Sequence, residues 1–447
     1  MSSCQIVNTL GDTGSILSMN HQYRDVADLL IPGRVPPISK AAVVVHNGEI
    51  EWAGVQSSIP IKHKGLDFIH VPVLMPGLWD CHVHYFGSPP NDSGGGYEQI
   101  LGPIALFGAR TVRDLERTLL ASFTSVRELG GYGGEIAAGV EEGNFIGPHI
   151  YSSIAPLSIT AGHGDIHRLP LRTVLDGCAH GLPFAVSDGV PECIKTVRQI
   201  IRRGAKIIKV CVSGGVVSVL DDPEDAEFSP EELKAIVEEA GRSKRALNAG
   251  VKTIEHGSYL DEECIALMKK KNAILVPTAS IIEGGWASRD YFPPETYKKF
   301  HQIYSSWKGA YSLAIASGVK IALGTDQANS QEGTFNSHGS NGKEIYFAVQ
   351  AGMSPLAAIE ACTATAPETL GEHIAPKSGQ ILEGYDADLI ALSQNPLNDV
   401  SVLSDPDNVT HVWKMGNCSN RLSCCGRVLL FGFLLSVIKT RVQKVPR

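Results

Sequence analysis

The stretch Trp79–Gly87, WDCHVHYFG, sets His82 and His84 two positions apart at the end of an apolar run, VPVLMPGLWD. Side chains two apart on a strand share a face, so both imidazoles can reach one metal ion. Three further runs carry groups of similar chemistry. In IIKVCVSGG, Lys209 lies between Ile207 and Cys211 at two-residue spacing. That places it on an apolar or small face, where an ammonium is costly unless neutralised or paired. His256 ends VKTIEHG and Asp326 ends VKIALGTD. Taken singly, each has a plainer reading: a strand-end histidine is usually a satisfied core or surface residue, a strand lysine faces solvent, and an Asp after Gly-Thr caps a helix. Lys206, at the start of its run, fits the solvent reading. Taken together, metal-ligand types recurring at the same end of successive runs point to one shared metal site.

The elements that must position these groups are legible as a pattern. From about 74 to 370, short apolar runs (RTLLASFTSVREL, HIYSSIAPLSI, AKIIKVCVSGG, VKTIEHGS, NAILVPTA, VKIALGTD) alternate with helix-length text such as SPEELKAIVEEA, which opens on a capping residue, Ser229. Repeated βα units predict a parallel sheet. A span of this length without a glycine-rich phosphate fingerprint after the first strand fits an α/β fold of the (β/α)8 TIM-type barrel, rather than a doubly wound sheet. Active sites of such barrels sit at the carboxyl ends of the strands, where the four runs end. The long segment after NAILVPTA, Ser280 to Tyr311, is aromatic, holds Pro293-Pro294 and reads as a lid.

Both ends of the chain are β-rich and punctuated by Pro, Gly and the turn pair Asn47-Gly48. The expected division is an N-terminal extension (1–26), a small β-sandwich domain built from 27–74 plus 371–416, the barrel (75–370) and an atypical tail (417–447). With 447 residues, 43% of them hydrophobic, and a formal net charge of −8, the chain reads as globular, and it lacks the basic stripe of a nucleic-acid partner. No secretory signal is visible at the start, which predicts a cytoplasmic protein. The ten cysteines include no CxxC pair and read as reduced thiols; only the vicinal Cys424 and Cys425 are unusual.

PGLWDCHVH, IIKVCVSGG, IEHG and LGTD, in that order, together with SITAGHGD and YDADLIALSQNPLNDV, resemble the amidohydrolase superfamily of metal-dependent hydrolases. The similarity is to members with a carboxylated strand-four lysine, and more narrowly to fungal ochratoxinase-like and prolidase-like amidohydrolases, over roughly 27–416. The resemblance implies a binuclear site, usually zinc. His82, His84 and Asp326 would hold one ion, His256 would help hold the second, and carboxylated Lys209 would bridge both. It also implies that a metal-activated hydroxide attacks an amide of an N-acyl amino acid or dipeptide-like small molecule, ochratoxin-like compounds among them. Asp326 would then pass the proton to the departing amine. His163, in TAGHGD, matches a loop histidine near the substrate carboxylate; a loop-ordering role is equally open. Deaminase or cyclic-amide hydrolase chemistry on the same centre, or a catalytically degenerate member, are the alternatives, and homo-oligomers are common in such families.

Two departures modify that expectation. Relatives place another histidine ligand at the end of strand five, in a segment resembling VAVHAHG. Here the gap GRSKRALNAG, residues 241–250, is too short for a strand and a returning helix. Strand five is therefore expected to be missing, leaving one complete zinc site and a weak or absent second one. After HVWKMGN the text changes to a tail with six basic and no acidic residues around an eleven-residue apolar run, Val428 to Ile438. That run is shorter than the ~20 residues of a membrane span, so no stable span is expected. Both breaks read as marks of a splicing or gene-model error.

Overall fold

A computed structural model describes residues 22–89, 102–218, 220–241 and 250–419. Most of the expected extension, nearly all of the 241–250 gap, and the tail with Cys424 and Cys425 lie outside the described residues.

The N-terminal strands are β1 (Gln22–Leu30), β2 (Ile38–His46), β3 (Glu49–Val55) and β4 (Phe68–Pro76). The β2–β3 hairpin turns on Asn47 and Gly48, both at positive φ (52° and 85°), the conformation this residue pair favours. The barrel segment supplies β5 (Leu78–Val83), β6 (Phe123–Glu128), β7 (His149–Ser152), β8 (Leu157–Ser158), β9 (Ala185–Val186), β10 (Thr253–Glu255) and β11 (Ile274–Val276). The C-terminal part returns with β12 (Leu389–Leu392), β13 (Val409–Lys414) and β14 (Asn417–Cys418). Strands from both ends lie in one seven-stranded sheet, ordered β14-β13-β12-β4-β1-β2-β3. β12 shows why it is apolar throughout: Leu389 and Ala391 pack into one core, while Ile390 and Leu392 pack into another shared with the barrel helices.

The barrel wall is parallel and can be followed by its hydrogen bonds. β5, β6 and β7 form one ladder. Beyond it, Lys206 N–H donates to Ser152 O (2.8 Å), Leu157 N–H to Lys209 O and Cys211 N–H to Leu157 O (both 2.9 Å). In the other direction, β5 joins the 321–327 segment through Cys81 N–H to Leu323 O and His84 N–H to Gln327 O (both 2.9 Å). That segment bonds to β11, which pairs with β10. Among the described residues, no backbone hydrogen bond joins 206–213 to 251–257.

Two runs read as strands are less regular than expected. AKIIKVCVSGG makes single bridges at Val210 and Ser213, and VKIALGTD one at Ile321. In RTLLASFTSVREL, the first half is instead the end of helix α1 (Ile104–Leu120). Helices α2 (Gly133–Glu141), α3 (Leu171–Ala179), α4 (Gly189–Arg202), α5 (Pro230–Gly241) and α6 (Glu262–Lys271) follow along the chain. Ser229 caps α5 as read: its Oγ accepts from Glu232 N–H (3.2 Å) and Glu232 Oε2 accepts from Ser229 N–H (2.8 Å). The aromatic segment read as a lid is a packed pair of helices, α7 (Ala279–Ala287) and α8 (Pro294–Ala316), and Phe300, Ile303, Trp307 and Tyr311 of α8 are buried in the main core. Helices α9 (Lys343–Gln350) and α10 (Pro355–Ala361) complete that core. No helix among the described residues is long and apolar enough to cross a membrane.

Candidate metal and active site

Four of the six residues singled out above meet at the carboxyl end of the barrel. One atom each from His82, His256 and Asp326 lies within 4.8 Å of the others. His82 Nε2 is 3.4 Å from Asp326 Oδ1, and His84 Nε2 is 3.2 Å from the same oxygen. The ring centroids of His82 lie 5.3 Å from those of His84 and 4.9 Å from those of His256.

The outer nitrogen of each imidazole is already engaged, and its partner fixes the tautomer. His82 Nδ1 is 2.9 Å from Glu255 Oε2 and His84 Nδ1 is 2.8 Å from Gly130 O; both oxygens only accept, so both nitrogens donate. His256 Nδ1 lies 2.7 Å from Thr278 Oγ1, whose own hydroxyl donates to Pro277 O (2.8 Å), so this nitrogen donates too. Each ring is left with Nε2 as its lone-pair nitrogen. This is the pattern of histidine ligands held by outer partners, and the donor set of three imidazoles and a carboxylate fits a divalent cation such as zinc.

Electrostatics agree with that reading. Burial, together with the neighbouring His82, pushes His256 down to about 3, and burial also lowers His82, so both rings are neutral and able to ligate at neutral pH. Burial alone would raise Asp326, but the imidazoles of His82 and His84 outweigh it and hold the carboxyl well below the usual range. Glu255 behaves likewise: burial raises it, and the Arg127 guanidinium and His82 more than reverse this. Arg127 is itself buried, 2.7 and 2.9 Å from the two Glu255 oxygens, and donates to Cys81 O (2.6 Å).

Backbone strain concentrates here. His256, Thr278 and Asp326 have φ of 63°, 51° and 58°, a region costing such residues on the order of 1–3 kcal/mol each. Hydrogen bonds hold each in place. Asp326 N–H donates to His82 O (2.7 Å) and His256 N–H to Val276 O (2.8 Å). Thr278 precedes α7, whose Ala279 and Ser280 N–H groups both donate to the buried Glu344 carboxylate (2.8 and 2.7 Å).

Lys209 stands near the cluster. Its charge is felt by His82, His256, His163 and Glu255, yet no side-chain hydrogen bond or ion pair holds its ammonium among the described residues. His163 lies on the same face, within the electrostatic reach of Asp326 and His84. Its Nδ1 is 3.0 Å from Ser218 Oγ, and its backbone N–H donates to Glu227.

Sequence reasoning missed the partners: Glu255, Arg127, Thr278, Gly130 and Asp80. Asp80 carried a readable signal, since it shares the two-residue spacing of His82 and His84. Its buried carboxylate accepts from His82 N–H (3.1 Å), Thr325 N–H (3.0 Å), Thr325 Oγ1 (2.6 Å) and Asn341 Nδ2 (2.7 Å).

Comparison with known proteins agrees with this geometry. The chain is 44% identical to an ochratoxinase of Aspergillus niger over 421 residues, 87% of this chain and 85% of the relative. The crystal structure of that A. niger enzyme superposes with a TM-score of 0.83, covering 89% of this chain and 95% of the other at 43% identity. A prolidase complexed with N-methylphosphonate-L-proline gives a TM-score of 0.80 at 28% identity, covering 90% and 100%. An imidazolonepropionase of Colwellia psychrerythraea is 25% identical over 79% of this chain and 85% of its own. The amidohydrolase family profile matches residues 73–418, the span that holds every residue of the cluster, and the chain belongs to the amidohydrolase family, hydrolases of amide and peptide carbon–nitrogen bonds.

Proposed function

We propose that the chain hydrolyses the amide bond of N-acyl amino acids or dipeptide-like compounds, with ochratoxin-like molecules among its substrates. The observation that carries this reading is the convergence on Asp326 of the Nε2 atoms of His82 and His84 and of the His256 ring, each imidazole with its Nδ1 engaged elsewhere. The likeness to an ochratoxinase and to a prolidase supports the substrate class.

His82, His84 and Asp326 would hold one zinc ion, with His256, grouped with His82 and Asp326, able to join it or to help hold a weaker second one, and Lys209, once carboxylated, would bridge the two. A divalent ion held here acidifies water and polarises the scissile carbonyl. Asp326, kept ionised by its imidazole neighbours, takes the proton released as water adds to the acyl carbon. It returns that proton to the amine as the carbon–nitrogen bond breaks. Glu255 and Thr278 hold the ligand rings so that little reorganisation is needed. His163 would face the substrate carboxylate. Seven free cysteines among the described residues suit a reducing compartment, in keeping with a cytoplasmic enzyme.

The test is incubation of purified protein with an N-acyl-phenylalanine and with ochratoxin, zinc and bicarbonate supplied. Release of the free amino acid is expected, and its absence from every such substrate counts against the reading. The resemblance to an imidazolonepropionase favours a second reading, cleavage of a cyclic amide at the same centre. Ring opening without a released amino acid would select it, while liberated ammonia would indicate a deaminase.

A further inference from the structure

The metal cluster does not account for the turn carrying Gly215, Ser218 and Asp221. Lys299 of α8 drives its ammonium into that turn. Nζ donates to the carbonyls of Gly215 (3.1 Å), Ser218 (2.9 Å) and Asp221, and Asp221 Oδ1 lies 3.8 Å away. An ammonium has three N–H donors, and three main-chain carbonyls take all of them. Convergent carbonyls with one carboxylate form the kind of oxygen cage that elsewhere holds a free cation. The side chain is only 16% exposed, and the next residue, Phe300, is buried in the main core, so the lysine is delivered from a fixed point.

The clasped turn is also the surface against which His163 rests. Ser218 Oγ is 3.0 Å and Asp221 Oδ2 3.9 Å from His163 Nδ1, and Asp221 Oδ2 also accepts the Gly215 N–H. The approach is so close that a Cβ on Gly215 would lie 1.8 Å from His163 Nδ1. We propose that Lys299 is a built-in cation that clasps this turn and, through Ser218 and Asp221, sets the His163 ring. It is thus a positioning residue for the substrate side of the site, coupling the docking of α8 to substrate binding. The kinetic consequence rests on reading His163 as a substrate contact; the clasp itself does not.

The experiment compares K299A and K299M with the unaltered full-length chain, using hydrogen exchange of the 214–226 amides and kinetics on an N-acyl-phenylalanine. Both variants should exchange these amides roughly ten-fold faster while α8 stays protected. Added ammonium should restore protection in K299A, where the cage is open, and not in K299M, whose side chain fills it. KM should rise roughly ten-fold with kcat within about three-fold and bound metal unchanged. Unchanged exchange, exposure of α8 together with the turn, or a K299A deaf to ammonium each overturns the clasp. Faster exchange without a rise in KM overturns the positioning role. If the unaltered chain fails to cleave the substrate, the proposed function fails, while the exchange arm still decides the clasp.

Discussion

At the residue scale, the site is held by groups one bond removed from the proposed ligands. Glu255 is held by Arg127 and in turn holds His82, so E255Q keeps the shape but weakens the His82 anchor. Its metal affinity should fall roughly 10- to 100-fold, measured by competition with a chelator. E255A also leaves the Arg127 guanidinium buried without its partner and should lose about 3 kcal/mol of stability in urea unfolding. Unchanged metal affinity in E255Q would remove Glu255 from the site. A second residue-scale prediction concerns His338, which stacks on Tyr85 at 4.6 Å and is pushed down to about 3 by burial and, after that, by Arg117. Its folded pKa is below the unfolded value of about 6.5, so the unfolded chain takes up the proton first as pH falls. Stability is thus lost progressively from pH near 6.5 towards 3, and His256 adds a loss of the same sign in metal-free protein. H338F keeps the stacking and removes one proton from this linkage, so its stability should fall less between pH 7.5 and 5 than that of the parent; equal losses would refute the assignment.

At the element scale, what is regular in sequence was legible and what is held by tertiary contacts was not. The Asn47-Gly48 hairpin and the Ser229 capping box follow from local chemistry, because the residues that make them lie within four positions of one another. His82, His84, His256 and Asp326 were legible because each closes an apolar run, and the barrel brings such ends together. Glu255, Thr278 and Gly130 were not, since each becomes a partner only after distant segments pack. The segments bearing Lys209 and Asp326 read as full strands from their β-branched composition, yet they pair through isolated bridges and single backbone bonds. Beside the backbone bonds of this segment to β5, the Asp80 carboxylate ties β5 to Thr325 and Asn341 and so helps hold Asp326 in place. D80A removes that acceptor and strands several buried donors, so it should cost about 3 kcal/mol or more and lower metal occupancy with it. S229A should cost about 1 kcal/mol at the start of α5 and leave metal occupancy unchanged. If D80A cost no more than S229A, the staple would not help hold the last stave.

At the scale of the whole molecule, the question is how many ions the barrel holds. The wall is continuous by hydrogen bonds from the 206–211 stretch through β7, β6 and β5 to the 321–327 segment, β11 and β10. His82 and Asp326 lie between bonded neighbours, His256 closes β10 at the other end of that wall and is held there by its N–H to Val276 O (2.8 Å), and the strained backbones of His256 and Asp326 show how firmly the surroundings determine them. Lys209 lies on the last stretch, which among the described residues gains bonds other than those to β7 and β8 only past Lys209, where Val212 O accepts from Glu227 N–H (3.1 Å) and Ser213 bridges Ala226; Val212 is 52% exposed. A ligand arm on an edge is less well fixed than one between two staves, and a carbamate on Lys209 would have to reach the cluster from there. The expected result is one ion per chain retained through dialysis against a weak chelator and a second lost, with a mass increase of one carbon dioxide on Lys209 only when bicarbonate and excess zinc are present. H82A should then release the retained ion, whereas K209A should leave it bound and abolish only the bicarbonate dependence. Two ions retained equally tightly, or an ion lost from K209A as readily as from H82A, would show that Lys209 is as firmly placed as the histidines and that the wall is closed beside it.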